Sequence, residues 1–295
     1  MPEQGSPTVR GRRLAAELRR LRERTGLTGD EVANQLGWSG SKISRIELHR
    51  IGIKQADLRQ LLDLYEVEDP HRSELQALAR ESRRKGQLEK VTADLPHEYA
   101  EHLHAEADAE SLWSWDPVLV PGLFQTESYA REMMLAWQSM FPLPPSDLDR
   151  RQEARMIRQQ ILDRDPPPKI SAVIDESVLH RRYGANSVMR EQLQKLIEIS
   201  ELPHVTLHIL PLDGAHPVTT GAFYYMKFAQ VHEVPMHDLV TIEHMLRNYY
   251  VEGDETYMFW VAFEQLVTES LGVRESREFI RTAIRELWPA LDKSS

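Results

Sequence analysis

Nothing in this chain restricts its fold more than the stretch Thr28–Glu47, which reads TGDEVANQLGWSGSKISRIE. Thr28, with Glu31 three residues on, forms a capping box, which starts a helix by satisfying its first N–H groups. Val32, Ala33 and Leu36 give that helix an apolar inner face, and the small Ala33 lets a second helix cross closely. Gly37 stands where a tight turn needs a positive φ. Ser39 is a second helix-starting residue, and Ile43 and Ile46 anchor the helix that follows it. The segment therefore predicts two short helices joined by a tight turn.

Helical patterns continue on both sides. One runs from about Arg10 to Thr25 with Leu14, Leu18 and Leu21 on one face. Another covers roughly Gln55–Tyr65. A fifth has Asp69 as N-cap, Pro70 at its first position and Gly86 just past its end. Leu95–Asp116 again reads as helix, rich in carboxylates and His, and Pro117–Phe124 as a Pro/Gly loop. Helices follow at about Thr126–Ser139 and Ser146–Asp163. After the three prolines at 166–168 the period changes. Lys169–Ile174, His204–Leu210, Gly221–Phe228, Asp238–Glu243 and Arg247–Val251 read as short strands. A helix at about Ser187–Ser200 separates the first two, and helices at Asp254–Leu271 and Arg274–Trp288 close the chain. The fold class expected is α+β: an N-terminal all-α bundle of about five helices, then a larger domain with a small, mainly antiparallel sheet. The expected boundaries are a disordered arm at 1–9, the helical domain at 10–86, a linker at 87–94 and the α+β domain at 95–290.

Charge is divided unevenly between these parts. The 295 residues carry a formal net charge of −10, which read as a whole argues against a nucleic-acid partner. Yet residues 1–86 hold 17 Lys+Arg against 13 Asp+Glu, and residues 87–295 hold 19 against 33. A basic head on an acidic body is the asymmetry of a polyanion-binding module joined to something else. The chain has no cysteine, which excludes disulfide scaffolds, thiolate metal sites and cysteine nucleophiles. No apolar run approaches the roughly 18–20 residues of a membrane span. No basic-then-apolar leader opens the chain, so a cytoplasmic, nucleoid-associated protein is expected.

The outer face of the second helix of the pair carries Ser41, Lys42, Ser44 and Arg45, short or basic side chains suited to a major groove. Arg45 can hold a guanine edge bidentately. Ser39 and Thr28 sit at helix N-termini, which favour phosphate. The residues expected at double-stranded DNA are Thr28, Ser39, Ser41, Lys42, Ser44, Arg45 and Arg50. The stretch Arg12–Val67, and SGSKISRIE (Ser39–Glu47) in particular, resembles the Xre/Cro family of repressor DNA-binding domains. Such domains often have Gly two residues after the Glu and Pro a few beyond; here those places hold His49 and Ile53. The alternative reading is a helical interaction bundle with no DNA role.

The body offers fewer signals. EHLHAEADAESLWSWDPVLVPGLFQTESYAR (Glu101–Arg131), RQEARMIRQQIL (Arg151–Leu162), VIDESVL (Val173–Leu179), MREQLQKL (Met189–Leu196) and GAHP (Gly214–Pro217) occur in order. Together they resemble the uncharacterised C-terminal domain of WhiJ-like, antitoxin-like regulators of actinobacteria. That resemblance implies a developmental transcriptional regulator and a small partner protein encoded nearby; it supplies no reaction. Trp113, Trp115 and Phe124 are candidates for an apolar pocket or for ordinary core. Arg155 and Arg158 share a helix face and are expected either to pair with Asp175 or Glu176 or to line an anion pocket. The candidate ligand or partner residues are thus Trp113, Trp115, Phe124, Arg155, Arg158 and Glu176. His97/Glu101 and Glu98/His102, with His104, Glu106 and Asp108 nearby, have metal-compatible spacing, but HExxH is absent and a solvated helix face is the default. No GxSxG, P-loop or dinucleotide fingerprint occurs, so no catalytic residue, metal or cofactor is expected.

Three functions compete on these grounds. The first is a sequence-specific regulator, a homodimer on a palindromic operator, whose body senses a small-molecule effector or a partner protein. The second is an antitoxin-like protein whose main role is binding that partner, with DNA autoregulation secondary. The third is an enzyme fused to a DNA-binding head.

Overall fold

The computed structural model describes residues 9–48, 51–81, 92, 95–229, 238–244 and 248–289. They fall into two compact units, one up to Asp108 and one formed by Ala109–Phe228 with the residues from His237 on.

The first unit is helical: α1 (Val9–Thr25), α2 (Gly29–Leu36), α3 (Gly40–Glu47), α4 (Gln55–Leu64), α5 (His71–Glu81) and α6 (His97–Asp108). Leu14, Leu18 and Leu21 recur at helical spacing on α1 and bury against Val32, Ala33, Ile43, Ile46, Leu58 and Leu62. At about 25 cal/mol per Å² of apolar surface, closing this core stabilises the bundle far more than helix propensity does. The ends follow the expected chemistry. Thr28 and Glu31 form the capping box, and Gly37 ends α2 at φ 66°. Glu66 just beyond α4 has φ 53°, a conformation that costs a residue with a Cβ. The fifth helix begins at His71, one residue after Pro70, and the Asp69 carboxylate accepts from the Ser73 N–H at 3.1 Å.

The second unit is a six-stranded mixed sheet with helices. The strands are β1 (Ser111–Asp116), β2 (Lys169–Asp175), β3 (Val205–Leu210), β4 (Phe223–Lys227), β5 (Leu239–Ile242) and β6 (Tyr249–Glu252), in the order β3-β2-β1-β4-β5-β6. β1–β2 and β2–β3 are parallel; the β1–β4, β4–β5 and β5–β6 ladders are antiparallel. The parallel half needs helical crossovers. α7 (Glu127–Trp137) and α8 (Pro145–Arg158) join β1 to β2, and α9 (Ser177–His180) and α10 (Asn186–Ser200) join β2 to β3. α11 (Thr256–Glu269) and α12 (Val273–Glu286) follow β6. Trp115, Val173, Phe223, Tyr225 and Val240 form one sheet face over Phe263 and Leu266 of α11.

Two sequence expectations need correction here. The helix expected over Leu95–Asp116 stops at Asp108, and Ser111–Asp116 is a strand at the centre of the sheet. Leu112, Trp113 and Trp115 against Ser114 and Asp116 suit a strand, but the carboxylate-rich helix before them hid the change of period. The helix expected over Ser146–Asp163 turns into a 3-10 segment, Gln159–Asp163, after Arg158.

Candidate nucleic-acid interface

The α2–turn–α3 unit is held by contacts the sequence only hinted at. The Arg22 guanidinium donates to both Glu47 oxygens, at 2.7 and 2.9 Å, and tethers the end of α3 to α1. The pair is mostly buried, and it raises the already high pKa of Arg22. The Trp38 N–H donates to the Ala33 carbonyl at 2.7 Å, closing the turn around Gly37. Gly40 leaves room for α2, since a Cβ there would collide with the Asp30 carboxylate. Ile43 and Ile46 face the core, so the opposite side of α3 faces solvent.

That outward side holds Ser41, Ser44 and Arg45, all exposed. The Arg45 Nε donates to the Ser41 carbonyl at 3.1 Å, laying the guanidinium along the helix surface. Ser39 occupies the N-cap position of α3, but its side chain caps nothing; its hydroxyl lies 3.2 Å from that of Ser41. Thr28 is exposed, and its hydroxyl donates to the Glu31 carboxylate at 2.8 Å. The backbone N–H and hydroxyl of Thr28 hold the Glu31 carboxyl below the usual carboxylate range. Lys42 differs from the sequence picture. Its Nζ is 3.0 Å from Asp57 Oδ2 of α4 and 3.5 Å from the centre of the Trp38 ring. To reach a phosphate it must leave both. Arg50 lies outside the described residues.

In the body, the structure brings together a different set from the one expected. Arg155 and Arg158 pair with neither Asp175 nor Glu176. Arg155 donates to the Gln125 side-chain carbonyl at 3.0 Å. The Arg158 guanidinium is buried against the backbone of Gly122, where a Cβ would overlap it. Asp175 faces His216 at 3.2 Å, while Glu176 accepts from the Leu212 N–H and meets His180. The pairing failed as an expectation because Arg155 and Arg158 turn toward the loop between β1 and α7, not toward the end of β2. Val120–Thr126 of that loop is buried, with Gln125, Gln159 and Gln192 bonding its backbone. Trp115 and Phe124 are core; Trp113 is half-buried among Tyr225 and Trp260.

Asp116 escaped the sequence reading. It ends β1, is 3% exposed, and Oδ1 accepts from the Tyr224 hydroxyl at 2.8 Å. Burial, with a smaller push from Glu243, raises its carboxyl to about 7 against the hydrogen bonds of Tyr224 and Ser114 and the charge of Arg158. No spacing signal marks such a residue, because its partners come from strands far along the chain.

The His and Glu residues of α6 do not form a solvated face throughout: His102, His104 and Glu106 are buried. His104 lies 3.1 Å from the Thr92 hydroxyl, and burial pushes its imidazole down to about 4. Among the described residues no group of three His, Cys, Asp or Glu side chains is arranged to hold a metal ion. Among them too, no helix is long and apolar enough to cross a membrane.

Two family models match the chain. One, described as a helix-turn-helix domain, matches residues 13–75; the other, described as a domain of unknown function (DUF5753), matches residues 99–282. No curated protein and no solved structure matches it.

Proposed function

We propose, on the premise that the chain belongs to the DUF5753 family and carries a helix-turn-helix domain ahead of it, that it regulates transcription by laying α3 in the major groove of DNA. The observation that carries this reading is the outer side of α3. Ser41, Ser44 and Arg45 are exposed together on a helix whose other side is fixed by Ile43, Ile46 and the Arg22–Glu47 pair. A reading helix needs that combination: a rigid seat and a short, polar, basic outer surface.

The finer reading is a homodimer on a pseudo-palindromic operator with half-sites about one helical turn, ~34 Å, apart. The acidic body supplies the dimer contact and the effector response. Its ordered motifs support a place among WhiJ-like, antitoxin-like regulators. A gel shift on the gene's own upstream region tests the reading; no shift at low salt with the purified dimer would sink it.

A second reading, a body whose main role is to hold a small partner protein, is favoured by one surface. Leu135, Trp137, Met140 and Phe141 are exposed together at the end of α7 and just after it. Single exposed apolar residues are ordinary, whereas four within seven positions suit an interaction surface. Co-purification with the product of a neighbouring small gene, lost on Trp137→Ser, supports this reading; co-purification unchanged by that substitution counts against this surface.

A further inference from the structure

Three aromatic rings from separate elements meet on one face of the body's sheet, over its central strands. Trp113 (β1), Tyr225 (β4) and Trp260 (α11) form a nearly equilateral triangle, with ring centres 5.0 Å apart for Trp113–Trp260, 5.6 Å for Trp113–Tyr225 and 5.7 Å for Tyr225–Trp260. Trp113 meets each of the other two edge to face. The Lys227 ammonium sits over this floor, 4.7 Å from the centre of Trp260, 5.5 Å from Trp113 and 5.7 Å from Tyr225. A carboxylate completes the group. Asp238 Oδ2 lies 3.9 Å from the ammonium and accepts the Tyr225 hydroxyl.

The ammonium is loosely held. Its side chain is 43% exposed, and 3.9 Å is the outer limit of an ion pair. Exposed pairs of this kind contribute about 0–1 kcal/mol, and an exposed cation over an aromatic face about 0.5–1 kcal/mol. Trp113 and Trp260 are only half-buried, so the floor is reachable from water. A cation that hydrates less strongly than a primary ammonium gains the ring contact at a lower desolvation cost.

We infer that this platform binds a quaternary ammonium ion, with Lys227 as an internal stand-in that the ligand displaces and Asp238 as the counter-charge. The inference deepens the effector-sensing part of the proposed function and rests on it, while its test uses no DNA. The full-length protein is titrated with tetramethylammonium chloride against sodium chloride at equal ionic strength, following tryptophan emission. A saturable change with tetramethylammonium alone is expected. Lys227→Met, which keeps the stem but removes the competing charge, should tighten binding about two- to fivefold, the equivalent of one lost cation–π contact. Asp238→Asn, which keeps an acceptor for the Tyr225 hydroxyl, should weaken it, and Trp260→Leu should abolish it. Equal responses to the two salts in both the native protein and Lys227→Met would overturn the inference. So would binding that survives Trp260→Leu, or that Lys227→Met leaves unchanged. Such a result would leave the DNA reading standing.

Discussion

The buried carboxyl at the end of β1 makes the body's stability depend on pH in a direction that can be worked out. In the unfolded chain Asp116 is an ordinary carboxyl near 3.8, and in the fold burial raises it to about 7. The proton is therefore bound more tightly in the folded state. A group with a raised folded pKa contributes its full stability below the unfolded value and loses it as pH rises through the folded one. Three pKa units at 1.36 kcal/mol each give a loss of roughly 4 kcal/mol between about pH 4 and pH 7. Asp116→Asn keeps an acceptor for the Tyr224 hydroxyl and cannot ionise. It should be more stable than the native protein by about 1–2 kcal/mol at pH 5 and by an amount of order the full loss at pH 8. Urea unfolding followed by tryptophan emission at pH 5, 6.5 and 8 measures both, and most tryptophans lie in the body. Parallel pH profiles for the two proteins, or a variant weaker at pH 8, would show that burial of this carboxylate has been misjudged.

Other substitutions test the head. Glu66→Gly relieves the positive φ after α4 and should stabilise the head by about 0.5–1 kcal/mol in thermal unfolding, the lost strain being offset in part by chain entropy. Glu47→Gln breaks the bidentate tether to Arg22 and should cost about 3 kcal/mol by the same measurement, because it leaves a mostly buried cation without its carboxylate. Lys42→Ala should lower stability by about 1 kcal/mol through the lost Asp57 and Trp38 contacts. It should leave the salt dependence of DNA binding unchanged; a slope shallower by about 1 would put the ammonium on a phosphate instead.

The sequence made the head legible because its signals are local. A Thr–Glu capping box, a glycine at a left-handed turn and isoleucines three apart each act within a turn of helix, and each is where the pattern puts it. Side chains whose partners lie on other elements were not legible. Lys42 reads as a free cation on an outer face until α4 brings Asp57 beside it. Ser39 reads as a cap and instead faces Ser41. In the body, the spacing of Arg155 and Arg158 gave the right shared direction but the wrong partners, because the loop before α7 folds in between. β1 was hidden because its alternation spans only Trp113–Asp116, close behind a strong helical signal, and its sheet neighbours β2 and β4 lie more than fifty residues away. The net charge of −10 was the least informative number, since it sums a basic head and an acidic body.

The account's central claim is that α3 reads DNA through its outer side, and Arg45 is its most direct test. Fluorescence anisotropy of the full-length protein on its selected operator, and on a scrambled duplex of the same length, should be compared with Arg45→Ala at two salt concentrations. The substitution removes an exposed side chain whose guanidinium lies along the helix surface, so the fold should be unaffected. Specific binding should weaken by about 1–3 kcal/mol, with base preference relaxed at one position of each half-site. Unchanged affinity and unchanged base preference in a folded Arg45→Ala variant would contradict the claim.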